Sequence, residues 1–236
     1  MNRMRSEIKL VLLACAISTS IFSMMGTAAA KEIILPISGQ YKTIDTKLAT
    51  ATIKLLQSKS KASQDKAIKA IEAAPDRYAP PVLYQLSATL FQRGDKDKAA
   101  FWFYAGQLRG RYDANRCGDL SARSAIAVMN DQFGQPINQY MFSNLSKLEK
   151  VVPEVLAWDK KTAHNYDQRW INLHGMGSML TSLGDKDQSK RDPGEVTMSL
   201  PQAEWPQIEE ETRKNYLKGF QETLSEAKLL AKNKKQ

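Results

Sequence analysis

The sequence predicts an all-α protein: an irregular array of antiparallel helical hairpins that ends in one long C-terminal helix. Three observations lead to this prediction. Apolar residues recur at spacings of three and four along most of the chain, as they do on the buried face of an α-helix. Prolines and glycines divide the chain into segments of helical length. Strand-like alternation is confined to one short stretch, residues 32–37.

The first thirty residues have the pattern of an export signal. Three basic residues come first: Arg3, Arg5 and Lys9. A mostly apolar run follows, and the small residues Ala28 and Ala30 match an A-x-A cleavage site. We therefore expect cleavage after Ala30 and a mature protein in the bacterial periplasm, with residues 31–236 forming a single helical-repeat-like domain.

Two other interpretations of this segment stay open. A retained membrane anchor is disfavoured because the apolar run is short and is interrupted by serine and threonine. Lipidation at Cys15 is the second alternative, because residues 12–15 form a loose lipobox. The apolar run continues past that cysteine, which favours ordinary cleavage.

The N-terminal half is predicted to form two helical hairpins. The first joins a short helix over residues 46–58 to a helix that Ser63 caps and Pro75 ends. Pro80 and Pro81 open the second hairpin. Its helices are separated by Gly94-Asp95, and its second helix runs from Lys96 to about Arg109.

Three further helices are predicted in the middle of the chain. The first is capped by Asp113 and runs to about Asn130, the second starts at Pro136, and the third starts at Pro153. Helical spacing continues over residues 170–184.

The end of the chain combines a loop and the clearest helix. Residues 185–204 contain two prolines and are predicted to form an ordered loop or a lid. The last helix has Pro206 in its first turn, glutamates near its start and lysines near its end, and both charge biases favour the helix dipole. Its apolar stripe consists of Ile208, Tyr216, Phe220 and Leu224.

Residues 80–111 carry a pattern of large and small side chains that suits two closely packed helices. The key positions are Leu86, Gly94, Ala99 and Phe103. This segment resembles a tetratricopeptide or Sel1-like repeat unit. It departs from the pattern because the usual proline after the second helix is absent, with Arg111 near that place. The resemblance implies a helix–turn–helix that binds other proteins.

Charge and cysteine content limit the classes of partner. The mature chain has 31 basic and 24 acidic residues, a net charge of +7, which predicts an acidic protein partner. Export disfavours nucleic acid, and peripheral contact with the membrane stays open as an alternative. Cys117 is the one cysteine of the mature chain, and its helical spacing from apolar residues predicts a buried, unreactive thiol.

Motifs for catalysis or metal binding are missing from the sequence. His164 and His174 lack the spacing of a zinc site, and no phosphate-binding loop or nucleophile motif is present. We therefore expect no catalytic residue, no metal and no cofactor. An enzyme that cuts peptidoglycan with one carboxylate is the alternative. Four residues are candidates for that role: Glu149, Glu154, Glu195 and Glu204.

Aromatic and arginine residues are the candidates for partner contact, because both types are frequent interface anchors. Five are predicted: Trp102, Tyr104, Arg109, Arg169 and Trp170. The alternative for the aromatic residues is burial between neighbouring helices.

Export, helical hairpins and missing catalytic motifs together predict a non-enzymatic binding protein. The repeat resemblance implies an immunity protein that neutralises a secreted antibacterial toxin, of the type VI secretion type, by occluding it. An adaptor in envelope assembly and a helical peptidoglycan-active enzyme are the alternatives.

Overall fold

The computed structural model describes residues 37–183 and 197–233, and the fold is all-α, as the sequence predicts. The predicted signal sequence with Cys15 lies outside the described residues, as do residues 185–196 of the predicted loop. None of the helices in the described ranges combines the length and apolarity needed to cross a membrane.

Eight α-helices and several short 3-10 turns form the described fold. The helices are α1 (Lys47–Leu56), α2 (Lys61–Ala73), α3 (Pro80–Gln92), α4 (Lys96–Asn115), α5 (Ser124–Phe142), α6 (Leu145–Asp159), α7 (Met176–Ser182) and α8 (Trp205–Asn233). The 3-10 turns Gly39–Thr43 and Gln168–His174 precede α1 and α7.

The first hairpin, α1 and α2, packs against α3. The cap of α2 is Ser60, whose hydroxyl accepts a hydrogen bond from the backbone N–H of Ser63, so the prediction of Ser63 as the cap was three residues late. Both serines suit a cap, and the helix begins at the earlier one because residues 61–63 already adopt helical geometry.

The second hairpin, α3 and α4, is the centre of the molecule. Gly94 has φ +90° in the turn between them, a conformation that glycine adopts without strain. Ala99 is completely buried, which lets the two backbones approach closely. The Phe103 ring packs edge-on against Tyr84, with 5.6 Å between centroids, and Leu86 is buried in the same core.

Helix α4 contacts α3, α5, α6 and α8, and 13 of its 20 residues are buried. It is longer than predicted, because it continues past Arg109 to Asn115. The prediction that Asp113 caps the following helix was wrong. Asp113 lies inside α4, and its carboxylate is buried and bonded to side chains, not to a helix start.

Two predicted helix starts were also wrong, because Pro136 lies inside α5 and Pro153 lies inside α6. Proline removes one backbone donor and usually interrupts a helix. In α5, however, buried residues on both sides of the proline, Met129 and Ile137, belong to the same core. Packing of the whole apolar face therefore holds each helix together across its proline.

The long C-terminal helix, α8, packs on α4 and α6. Pro206 is in its first turn, as predicted, and Leu224 of the predicted stripe is buried. The other three stripe residues are half-buried, since α8 covers the core from outside. Before α8, the backbone of residues 198–200 pairs with residues 116–118, and the Leu200 N–H donates to the Arg116 carbonyl at 2.8 Å.

The close approach at Ala99 gives a test of this packing. Ala99→Leu should lower the free energy of unfolding by about 1–3 kcal/mol, because extra volume in a filled core forces neighbouring side chains apart. The matched control is Ala70→Leu, at an exposed position inside α2. Urea denaturation measures both variants, and an equal effect at the two positions would contradict the close crossing of α3 and α4.

Candidate functional site

The predicted partner-contact residues lie mostly in the interior. Trp102, Tyr104, Arg109 and Trp170 are at most 6% exposed, and Arg169 is the one with a partly exposed side chain. A buried side chain has no surface to offer a partner, so in this fold the first four serve the core and not an interface. The alternative considered for the aromatic residues, burial between helices, describes their environment.

The aromatic run is buried because α4 is covered from several sides. Trp102 packs edge-on against Trp158 of α6, with 5.5 Å between ring centroids. The Tyr104 hydroxyl donates to Asn138 of α5 at 3.2 Å. Consecutive positions of a helix point in different directions, and here each direction meets another helix.

Arg109 forms a charged contact in the interior of the fold. Its guanidinium Nε donates to Asp159 Oδ1 at 3.0 Å, and another nitrogen donates to the Thr162 carbonyl at 2.8 Å. The guanidinium also lies 4.3 Å from the centre of the Trp158 ring, a cation–π contact. One side chain of α4 thus binds the C-terminal end of α6 and the segment that follows it.

Asp159 is shared between two arginines and a histidine. Its second oxygen accepts from Arg213 Nε of α8 at 2.9 Å, and His164 Nε2 lies 3.0 Å from its first oxygen. Arg213 also pairs with Glu209, one turn earlier on α8. The carboxylate therefore joins α4, α6 and α8.

A second buried ion pair lies one turn further along α4. The Asp113 carboxylate accepts from Arg116 at 2.7 Å and from the indole N–H of Trp170 at 2.7 Å. The Arg116 guanidinium carbon lies 4.1 Å from the centre of the Tyr112 ring and 4.5 Å from the centre of the Trp205 ring. This pair attaches the 3-10 turn at 168–174 and the start of α8 to α4.

The two buried carboxyls differ in acidity. Burial by itself would raise the pKa of Asp159, but the His164 hydrogen bond and the charges of Arg109 and Arg213 outweigh it and lower that pKa. Burial of Asp113 is more complete and raises its pKa, against the opposing effects of Arg116 and Trp170. Asp159 is thus the more firmly ionised of the two.

Asp159, His164 and Glu209 lie close enough together to hold a metal ion, since their ligand atoms fall within 4.8 Å of one another. Their donor atoms fit a cation poorly, however. Both Asp159 oxygens already accept hydrogen bonds from arginines, and the Glu209 carboxylate already forms an ion pair with Arg213. A cation would have to displace these guanidiniums and remain beside their positive charge. The arrangement is better explained as an ion-pair network that holds helices together.

The candidate carboxylates for peptidoglycan cleavage lie elsewhere. Glu154 and Glu204 are exposed on the surface. Glu149 is exposed too and pairs with Lys228 at 2.8 Å, while Glu195 lies outside the described residues. All three described glutamates are exposed to solvent, and none lies in a buried cleft.

Cys117 is buried, as predicted. Its thiol contacts the Asn172 side-chain oxygen at 3.3 Å, and burial raises the pKa of the thiol to about 11. The thiol therefore stays protonated near neutral pH, which makes it a poor nucleophile.

An exposed apolar cluster occupies one end of the described fold. Met176, Met179 and Leu183 follow one side of α7 at spacings of three and four residues, and they are 50%, 42% and 62% exposed. Ile37, 45% exposed, lines the same depression as Met176 and Met179. The exposure of this cluster does not follow from the sequence, because the same spacing also fits an ordinary buried helix face.

The buried ion pairs were not predicted from the sequence either. The signal was the spacing of Arg109, Asp113 and Arg116, four and three residues apart, which places all three on one side of α4. Such a charged stripe ordinarily indicates a solvated face. Burial of the stripe depends on residues 159–170 and 205–213, which are distant in sequence.

Comparisons with known proteins give one distant relative. No protein-family model matches the chain, and no solved structure matches it. An uncharacterized protein of Haemophilus influenzae (strain ATCC 51907 / DSM 11121 / KW20 / Rd) is 30% identical over 129 residues. The match covers 54% of this chain and 47% of the Haemophilus protein, so the chain spans about half of that relative's length. The resemblance to tetratricopeptide and Sel1-like repeats stays a prediction.

The lowered pKa of Asp159 predicts how stability depends on pH. Near neutral pH, Asp159→Asn should lower the free energy of unfolding by about 3–5 kcal/mol, because buried arginines lose their counter-charge. The folded-state pKa lies below the unfolded value of about 3.9, so the carboxylate's contribution is complete above that value. It is lost as the pH falls through the folded-state pKa.

Urea denaturation of wild type and Asp159→Asn from neutral to strongly acidic pH measures this difference. The gap between the two proteins should be constant above about pH 5 and should shrink below it. Asp97→Asn is the control, since its ion pair with Lys147 is exposed and its loss should change stability little. A gap that stays constant into strong acid would contradict an ionised Asp159.

Proposed function

We propose that this protein acts outside the bacterial cytoplasm as a non-catalytic immunity protein that neutralises a secreted antibacterial toxin by covering it. The observation that carries the proposal is the exposed apolar cluster of Ile37, Met176, Met179 and Leu183. Large apolar side chains exposed together around a depression are typical of a protein-binding surface.

The composition of the cluster suits a protein partner. Methionine side chains are flexible and polarisable, so they adapt to irregular apolar surfaces. Small polar residues, Ser178 and Ser182, line the same depression, with His174 beside them. An apolar centre bordered by polar groups is the usual anatomy of a protein interface.

The interior supports binding over catalysis. In the described ranges, the buried carboxylates Asp113 and Asp159 are both held by arginines, and the Cys117 thiol stays protonated near neutral pH. Catalysis by acid, base or nucleophile needs such groups free and reachable by substrate. The polar chemistry of this fold is used to fix its helices.

An adaptor role in envelope assembly is the second candidate, and the same exposed cluster favours it equally. The two roles differ in their partner. An immunity protein binds one toxin, whereas an adaptor is recovered from membranes together with assembly machinery.

The test is co-expression, in a sensitive bacterium, with an exported toxin encoded by the neighbouring gene. The wild-type protein should restore growth, and the variant Met176→Asp/Met179→Asp should lose most of that protection, because two charges in the apolar centre oppose docking. Thermal unfolding checks that the variant is folded.

The matched control is Val128→Asp/Leu230→Asp, which places two charges at exposed apolar positions on other helices. It should protect like the wild type. Cells that die equally with and without the wild-type protein would refute toxin neutralisation, and full protection by the methionine variant would refute a role for the cluster.

A further inference from the structure

The positive charge of the described chain is concentrated at its N-terminal hairpin. Residues 42–77 contain eight basic and four acidic residues. The rest of the described chain contains 17 basic and 15 acidic residues. A net charge of +4 thus falls on 36 residues, and +2 on all the others. We use the name lysine face for six exposed lysines of this hairpin: Lys47, Lys54, Lys59, Lys61, Lys66 and Lys69.

Among the described residues, the acidic residues of the hairpin form no ion pair with the lysine face. Asp65 pairs with Arg93 at the end of α3, at 2.5 Å, and Glu72 pairs with Lys98 of α4, at 3.3 Å. Asp76 accepts from the Asn165 side chain, and Asp45 accepts from a backbone N–H at the start of α1. Two of the four acids are therefore used where the hairpin meets the next one.

The lysines themselves have no counter-charge. Among the described residues, none of the six forms an ion pair, and all six are exposed. Lys47 and Lys54 are two helical turns apart, or about 10 Å, and Lys66 and Lys69 are about one turn apart. These spacings are comparable with the Debye length at physiological salt, so their fields add.

The lysine face adjoins the apolar cluster. Ile37 lines the depression beside Met176 and Met179, and it also lines a second depression with Lys42 and Lys47. The 3-10 turn Gly39–Thr43 connects the two regions, and the Ser38 hydroxyl donates to the carbonyl of Thr181 in α7 at 2.9 Å. The start of α1, with Lys47 of the lysine face, thus lies next to the apolar cluster.

We propose that the lysine face and the apolar cluster form a single docking surface for an acidic protein, whose carboxylates meet the lysines while an apolar contact fills the depression beside Met179. This inference rests on the proposed function and assigns the chemistry of the partner. The apolar part supplies affinity, and the lysines raise the association rate and select against basic proteins.

A membrane fits this surface less well than a protein does. A helix that lies in a bilayer needs large apolar side chains between its lysines. The exposed residues between the lysines of α1 and α2 are mostly alanine, threonine and glutamine, with Leu48 the one large apolar residue among them. The lysine face thus has the charge for anionic lipid, but the large exposed apolar side chains lie beside it in the apolar cluster and not between its lysines.

The experiment reverses four charges on the lysine face, in Lys47→Glu/Lys54→Glu/Lys66→Glu/Lys69→Glu. The matched control reverses four exposed lysines elsewhere, in Lys150→Glu/Lys161→Glu/Lys214→Glu/Lys218→Glu, so both variants have the same net charge. The probe is fluorescent poly-L-glutamate, with binding measured by anisotropy at low and at physiological salt. Thermal unfolding confirms that both variants are folded.

We expect the lysine-face variant to bind poly-L-glutamate at least about tenfold more weakly than the control variant, with a smaller salt dependence. It should also lose protection in the toxin assay, while the control variant protects. If poly-L-glutamate bound both variants equally weakly, the docking surface would be refuted, because binding would then depend on net charge and not on the position of the lysines.

Further outcomes identify other occupants and overturn the proposal. In one such outcome, the wild type binds phosphatidylglycerol vesicles and the lysine-face variant does not, while the two proteins bind poly-L-glutamate equally well. That result would identify a membrane as the occupant. Another is a wild-type dimer, seen by sedimentation, that the variant disrupts. A wild type that fails to protect, with poly-L-glutamate binding lost in the lysine-face variant alone, would refute toxin neutralisation and keep the acidic docking surface.

Discussion

The buried contact between Arg109 and Asp159 is the interaction on which the arrangement of the helices depends. It joins the central helix α4 to the end of α6, and through Arg213 it reaches α8 as well. A carboxylate and a guanidinium removed from water are stable together and costly apart. The position of α8 is therefore tied to a few charged atoms, in addition to the apolar contacts that surround them.

This interior has a consequence for function. Among the described residues, the buried carboxylates of Asp113 and Asp159 are paired with arginines, and these contacts join helices. The chemistry that remains available is on the surface, where apolar residues of α7 and lysines of α1 and α2 are exposed. These exposed residues are the ones on which the proposed docking surface is built.

Periodicity predicted the helices because each helix buries one side, and Gly94 predicted the turn because few residues adopt its backbone angles. Local rules failed at Pro136 and Pro153, where burial on both sides of the proline outweighed the lost hydrogen bond. They failed again at Arg109 and Trp170. Arginine and tryptophan are frequent at protein interfaces, but in this fold both residues are buried in the core. Their partners come from distant segments, so no local window contains the signal.

The central claim is that Arg109 and Asp159 act as one unit that fixes the fold, and a double-mutant cycle tests it most directly. Urea denaturation would compare Arg109→Met, Asp159→Leu and the double variant with the wild type. Each single variant leaves a buried charge without its main partner, whereas the double variant removes both charges. We expect the double variant to be more stable than the sum of the two losses implies, by about 2 kcal/mol or more. Losses that simply add would contradict the account.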